Sequence, residues 1–264
     1  MDVHRRSRGR GDAAEGERMS EPTHVVGLSG GKDSTAMALW LAENEPRDYV
    51  YVCTPTSNEP EEMFAHWKKL AALLGKPLTP VTAGHTLESL IRGYGALPNH
   101  LMRWCTRQLK IEPTKAYLLA HAPAVNYVGL RADEEEREGI YGEIAGVTQR
   151  YPLRELGWGI KEVWAFLRDR GVTIPKRTDC ELCFFQRIGE WWDLWKEKPA
   201  AYANGEALEA LTGHTFRYPG RDSWPASLKD LRVRFEMGEI PKARQQLSLG
   251  LDTDRPEMCR ACSL

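Results

Sequence analysis

The stretch that most constrains this chain is His24-Val25-Val26-Gly27-Leu28-Ser29-Gly30-Gly31-Lys32-Asp33-Ser34. Residues 25–28 form an apolar run that reads as a buried strand. Two glycines then break it, and the amphipathic run 35–42 reads as a helix. The sequence predicts a strand, a tight loop and a helix N-terminus in direct succession. The first N–H groups of a helix have no partner within it, and the aligned peptide dipoles add partial positive charge there. Glycine lets the backbone come close to a ligand. Such a turn is an anion site suited to phosphate or pyrophosphate. The spacing is not that of a Walker A loop. Only Leu28, Ser29 and Gly30 separate Gly27 from Gly31, and Asp33 follows Lys32 where that motif needs Ser or Thr.

Downstream, the pattern alternates. Residues 49–53 read as a second strand, 60–74 as a helix opened by Pro60, and 78–81 as a short strand. A helix over 111–121 carries Pro113 near its first turn, and 125–130 reads as a further strand. Strands alternating with helices predict an α/β fold, a parallel sheet with helices on both faces. Ligands then sit at the carboxyl ends of the strands, where the glycine loop points. From about Gly157 helices dominate, over 160–170, 187–196, 200–211 and 225–236. We therefore expect a leader over 1–21, a nucleotide-binding domain over 22–156 and a helical, cysteine-containing C-terminal region over 157–264. Trp191, Trp192 and Trp195 fall at helical spacing, which favours core packing over base stacking.

With 264 residues, 42% of them hydrophobic, the chain can bury a substantial core. A formal net charge of −1 gives no global attraction to nucleic acid. No apolar run is long enough to span a membrane. The charged, glycine-rich start, including Arg5-Arg6-Ser7-Arg8-Gly9-Arg10, lacks the apolar segment of an export signal. It reads as a disordered leader, with Met19 an alternative start to Met1, and a cytoplasmic location is expected.

Six cysteines follow, Cys53, Cys105, Cys180, Cys183, Cys259 and Cys262. Two Cys-x-x-Cys hooks, Cys180–Cys183 and Cys259–Cys262, point to a metal or cluster site rather than to disulfides in a chain without an export signal. Four thiolates suit iron–sulfur and zinc alike. Cys105 lies in Arg103-Trp104-Cys105-Thr106, with Arg107 and Lys110 close by, and this positive charge is expected to lower its thiol pKa. Cys53, at a strand end, reads as a small buried residue. The seven histidines show no ligand-like spacing.

The string Ser29-Gly30-Gly31-Lys32-Asp33-Ser34 resembles the pyrophosphate loop of the PP-loop ATP pyrophosphatases, an adenine nucleotide α-hydrolase-like fold. With Arg103-Trp104-Cys105-Thr106 and Lys110-Ile111-Glu112-Pro113, the chain resembles the phosphoadenosine phosphosulfate reductase family, phage and mobile-element members and the PP-loop component of DNA phosphorothioation systems above all. The resemblance implies that Ser29, Gly30, Gly31, Lys32, Asp33 and Ser34 hold the phosphates of ATP with Mg2+. It places Gly129 and Arg131 beside the nucleotide and Asn58 and Glu59 at its flank. It makes Lys32, Asp33 and Cys105 catalytic. Carried over from the adenylyl-sulfate reductases, it makes Cys105, Cys180 and Cys183 ligands of a [4Fe-4S] cluster, with zinc the second choice and Cys259 or Cys262 the source of a fourth ligand.

The chain departs from that pattern at its tail, Met258-Cys259-Arg260-Ala261-Cys262-Ser263-Leu264, which lacks the Glu-Cys-Gly-(Ile/Leu)-His string of sulfonucleotide reductases. The expected function is ATP cleavage to AMP and pyrophosphate that activates an acceptor for sulfur transfer, with DNA or RNA among the candidate acceptors. The sulfur would come from a donor such as a cysteine desulfurase or a thiol reductant. The alternatives are a sulfonucleotide reductase and a nucleotide-binding subunit with a structural metal. The acidic run Asp133-Glu134-Glu135-Glu136 is read as a solvated helix start or as help in binding Mg2+, Arg131 and Arg137 as anion contacts, and Arg232, Arg234, Lys242 and Arg244 as a solvated helix face or a nucleic-acid contact.

Overall fold

The computed structural model describes residues 21–134 and 141–242. Its centre is a five-stranded sheet of β1 (Thr23–Gly27), β2 (Tyr49–Cys53), β3 (Leu78–Pro80), β4 (Ala124–Tyr127) and β5 (Val147–Arg150), ordered β3-β2-β1-β4-β5. Every neighbouring pair is parallel. The helices are α1 (Lys32–Asn44), α2 (Glu61–Leu74), α3 (Leu87–Tyr94), α4 (Trp104–Thr106), α5 (Glu112–Ala120), α6 (Pro152–Glu155), α7 (Ile160–Asp169), α8 (Ile188–Glu197), α9 (Pro199–Thr212) and α10 (Leu228–Glu236). A π-helical turn, Arg107–Ile111, joins α4 to α5.

Side chains of a strand alternate between faces. Val26, Tyr49, Tyr51 and Tyr127 pack with Met37 and Leu41 of α1 and Val163 and Leu167 of α7. Val25, Val52 and Ala124 pack in a separate cluster with Leu118 of α5. Burial on both faces is why these strands read as short apolar runs. The expected α/β architecture, a parallel sheet covered on both sides with helices following, is the one present. None of the described helices is long and apolar enough to cross a membrane.

The third cluster is helical. Trp191 of α8, Tyr202 and Leu208 of α9, and Leu231 and Phe235 of α10 bury against Leu90 and Ile91 of α3, with Trp192 and Trp195 packed at its edge. Trp191 is a core residue and Trp192 and Trp195 are partly buried against it, in keeping with the packing role that their spacing predicts. Packing does not follow chain order: α7 belongs to the sheet cluster, and the earlier α3 belongs to the helical one.

Some elements differ from the reading of the sequence. The strand expected over 125–130 stops at Tyr127, because Leu130 N turns back to Val128 O at 2.9 Å. Gly129 and Arg131 therefore leave the sheet. β5 carries only one apolar residue and lies at the sheet edge, so it has little hydrophobic signal. α3 is opened by a reciprocal cap between Thr86 and Ser89 that apolar periodicity does not reveal. The leader at 1–21 lies, except for Glu21, outside the described residues.

Candidate functional site

The chain lays β2 and β3 on one side of β1, then crosses back to lay β4 and β5 on the other. Strand order reverses between β1 and β4, and a crevice opens outside their carboxyl ends. The loop of Leu28 to Gly31 leaves β1 there, and the loop of Val128 to Arg131 leaves β4 there.

Gly31 precedes the first turn of α1 with no side-chain cap on the helix N–H groups. Its own N–H donates to Ser29 Oγ at 3.3 Å, and Ser34 Oγ donates to Gly31 O at 3.1 Å. Gly30 has φ +88°, and a Cβ there would lie 2.8 Å from both Met63 Cε and Trp67 Nε1. At Gly129 a Cβ would meet the backbone of Asp33 and Ser34 at 3.0–3.1 Å. Only glycine lets the β4 loop close on the start of α1.

Helix α2 braces the loop from behind. His66 Nε2 lies 3.0 Å from Gly30 O, and Trp67 Nε1 donates to Ser29 O at 3.0 Å. Burial lowers the His66 pKa, more than its bond to Gly30 raises it, so the ring is held neutral. Sequence reasoning passed over these two residues. Their only signal is two ring nitrogens on the same helix as the buried Met63 and Leu70.

The charges at the mouth of α1 are nearly buried. Lys32 and Arg131 are each only 3% exposed. Asp33 Oδ2 accepts from Lys32 Nζ at 3.1 Å and from Arg131 at 3.0 Å. Arg131 also donates to Asp133 Oδ1 at 2.8 Å and pairs with Glu134 at 3.5 Å. Burial works against the Arg131 charge, but Asp33, Asp133 and Glu134 outweigh it and hold the pKa above its ordinary value. Asp33 Oδ1 is buried with no hydrogen-bond partner among the described residues. An orphaned carboxylate oxygen beside a helix N-terminus fits a donor for a hydrated cation on a phosphate chain.

Asn58 and Glu59 lie on the loop after β2, one strand away. Glu59 accepts from Thr56 N at 2.8 Å, Thr56 Oγ1 at 2.7 Å and Asn58 N at 3.2 Å, closing the loop on itself. Asn58 Oδ1 accepts from Leu182 N at 2.9 Å, and its carbonyl accepts from Glu181 N at 2.7 Å. The bonds of Asn58 thus run to the Cys180–Cys183 turn, while those of Glu59 stay within its own loop.

That turn meets the segment around α4. Cys105, Cys180 and Cys183 line one cavity of about 30 Å³ with Thr56, Lys110 and Phe184. Thr56 Oγ1 lies 3.1 Å from Cys180 Sγ. Loss of solvent pushes the Cys180 thiol up to about 11 and raises Cys105 and Cys183 as well. The lowered pKa expected for Cys105 is therefore reversed: Lys110 and Arg103 pull it down, but burial acts more strongly. Arg107 is exposed and pairs instead with Glu112.

Three thiols facing one cavity are the donor type that iron–sulfur clusters and zinc take. Even so, among the described residues no group of three or more His, Cys, Asp or Glu is set out as a ready metal shell. Cys259 and Cys262 lie outside the described residues, as do Glu135, Glu136, Arg137 and Arg244. Cys53 is buried at the end of β2, as read. Arg232 pairs with Glu206 and Glu236, and Arg234 with Glu239, so this stretch presents matched charges.

No curated protein matches the chain. Among the solved structures that resemble it distantly are a reductase and a synthetase. Phosphoadenylyl-sulfate reductase from Candida auris, in a phosphate complex, is 14% identical over 59% of this chain and 76% of that one, with a TM-score of 0.45. NH3-dependent NAD synthetase from Campylobacter jejuni, in complex with nitrate, is 13% identical over 83% of this chain and 88% of that one, with a TM-score of 0.38. A family model gives the assignment. Residues 23–193 match the phosphoadenosine phosphosulfate reductase domain, a span that takes in the glycine loop, the Gly129–Arg131 turn, Cys105 and the Cys180–Cys183 hook. With more than half its length inside that match, the chain belongs to the phosphoadenosine phosphosulfate reductase family.

Proposed function

We propose that the protein cleaves ATP to AMP and pyrophosphate in order to activate an acceptor for sulfur transfer. The observation that carries this reading is the orphaned Asp33 Oδ1 beside buried Lys32 at the uncapped start of α1. An acceptor oxygen attacks the α-phosphorus of ATP, and the bond to the pyrophosphate oxygen breaks. A sulfur nucleophile then displaces AMP from the adenylated acceptor. Charge builds on the departing pyrophosphate, where positioned N–H groups and cations give the greatest stabilisation. The N–H groups of the loop, Lys32 and the α1 dipole meet that charge. Asp33 would offer an oxygen to Mg2+, which would offset phosphate charge. Ser29 and Ser34, 3.0 Å apart, hold the loop and can turn to phosphate oxygens. Arg131 fixes Asp33, and Gly129 keeps the crevice narrow.

Cys105, Cys180 and Cys183, with Cys259 or Cys262, would hold a [4Fe-4S] cluster or zinc. Such a group supplies a site at which sulfur can be bound or redox change carried. A cysteine desulfurase or a thiol reductant is the expected donor side.

The second reading is a sulfonucleotide reductase, favoured by the family match itself. It uses the same glycine-loop crevice but expels no pyrophosphate, so it gives an orphaned metal-type oxygen no task. Product analysis separates the two. Anaerobically purified protein receives ATP, Mg2+, sulfide and candidate acceptors, nucleic acid included. AMP, pyrophosphate and incorporated sulfur are expected. Sulfite released from a sulfonucleotide with no need for ATP would establish the reductase reading, and ADP as product would contradict both.

A further inference from the structure

Glycines alone do not make the loop after β1 a phosphate site. Each trans peptide carries a C=O and an N–H that point opposite ways. A loop therefore meets an anion with its N–H groups only if its carbonyls are turned elsewhere. Nothing within Ser29-Gly30-Gly31 enforces this. Gly30 stands at φ +88° and Gly31 at φ −72°. Turning over the peptide between Ser29 and Gly30 would bring Gly30 to negative φ. Turning over the next peptide would bring Gly31 to positive φ. Glycine accepts both signs at similar cost. Either flip would set a carbonyl oxygen where a phosphate oxygen has to lie.

Helix α2 removes that freedom at both peptides. Trp67 Nε1 donates to Ser29 O at 3.0 Å, and His66 Nε2 lies 3.0 Å from Gly30 O. Two successive carbonyls are thus held by two successive residues of one helix. An indole N–H donates and never accepts, so Trp67 fits a carbonyl and refuses an N–H. A carbonyl only accepts, so His66 carries its proton on Nε2. The His66 ring is only 5% exposed. On the other side of the loop, the Gly31 N–H aims at Ser29 Oγ at 3.3 Å, and Ser34 Oγ lies 3.0 Å from that hydroxyl. The two hydroxyls mark the side on which phosphate oxygens would be met.

We infer that Trp67 and His66 are positioning residues for the phosphate chain: by holding the Ser29 and Gly30 carbonyls against α2, they keep the Gly30 and Gly31 N–H groups turned to the crevice. Neither side chain needs to touch the nucleotide. This role rests on the proposed function only in taking the crevice as a phosphate site; the acceptor and the cysteines do not enter. The two residues are also unequal. Trp67 serves one peptide orientation, whereas an imidazole in its other tautomer can accept from a peptide that has turned over. Loss of the indole N–H should cost at least as much as loss of the imidazole.

The test is calorimetric titration of Mg2+–ATP into the intact protein, with inorganic pyrophosphate and adenosine as competitors. Trp67→Phe keeps an aromatic ring and deletes one donor, and His66→Leu deletes the other. Each should weaken ATP and pyrophosphate by about fivefold, the worth of one hydrogen bond. Competition by adenosine, which carries no phosphate, should be unchanged. His66→Gln, whose amide N–H can reach the same carbonyl, should restore most of the affinity. A general loss of packing would weaken adenosine as well and would not be reversed by glutamine. If His66→Leu does not fold, Trp67→Phe and His66→Gln still decide. Wild-type affinity for ATP in folded Trp67→Phe would overturn the inference, and so would an equal loss for adenosine. A wild-type protein that binds neither ATP nor pyrophosphate would remove the phosphate reading of the crevice, and this role with it.

Discussion

The crevice between β1 and β4 and the cavity around the cysteines are built in opposite ways. The crevice comes from one contiguous string after β1, closed by a second short turn after β4, and its ligand-facing groups are largely backbone N–H. Its charged side chains are paired with one another. The cysteine cavity draws on separate segments, at Thr56, Cys105 and Cys180–Cys183, and its working groups are thiols rather than backbone N–H. A site made of backbone is sensitive to an added Cβ and tolerant of many side chains. A site made of thiols is sensitive to each thiol. The two should therefore fail independently.

The largest expected effect is at the cysteines. Cys180→Ala should remove essentially all bound iron or zinc, read by metal analysis and by the absorption spectrum of anaerobic protein. Wild-type protein carrying neither metal would break the comparison at once. Next is the charge network. Arg131→Ala leaves Asp33, Asp133 and Glu134 facing one another without their shared cation and should cost about 3–5 kcal/mol in urea unfolding. Arg131→Lys should recover only part, because one ammonium cannot span carboxylates that a planar fork reaches together. Smaller again, Gly129→Ala should cost about 1–3 kcal/mol as α1 is pushed from the β4 loop. It should lower ATP affinity and leave metal content intact; loss of metal there would mean the two sites are coupled.

The last effect concerns a group outside both sites. Glu209 of α9 is buried, and its carboxylate accepts from Phe216 N at 2.9 Å and Leu228 N at 2.7 Å, tying down the loop between them. Burial raises its pKa to about 7, above the ordinary 4.5, against the pull of those two N–H groups. The folded state thus holds this proton more tightly than the unfolded chain. Stability from this group is fully present below about pH 4.5 and is lost as pH rises through about 7. Between pH 8 and pH 5 the wild type should gain on the order of 1–3 kcal/mol relative to Glu209→Gln, measured by denaturant unfolding at both pH values. An identical pH dependence in the two proteins would show that the carboxyl does not titrate on unfolding.

The same contrast explains what the sequence could reveal. Strand, glycine loop and helix are written in consecutive residues, so β1, the loop and α1 could be read directly, and so could the helical region beyond 157. Gly129 and Arg131 were visible only through family resemblance, and the turn that carries them was read as strand because Val128 and Leu130 are apolar. The convergence of Cys105 on Cys180 and Cys183 is likewise visible only through the family resemblance. The bonds of Asn58 to residues 181 and 182 that dock the turn are long-range and leave no local pattern. The thiol pKa of Cys105 went the wrong way because neighbouring charges are visible in a sequence and burial is not. His66 and Trp67 were missed because a helix face that braces a loop looks like any other half-buried face.

The most direct measurement is calorimetric titration of Mg2+–ATP into the wild type, Gly30→Ala and Cys180→Ala. At Gly30 the added Cβ meets Met63 and Trp67 in a backbone conformation that L side chains rarely adopt. If the crevice is a backbone-built ATP site independent of the cysteines, Gly30→Ala should lose at least about tenfold in affinity while Cys180→Ala stays within about twofold. Wild-type affinity in a folded Gly30→Ala protein, or ATP binding that disappears with Cys180, would contradict the account.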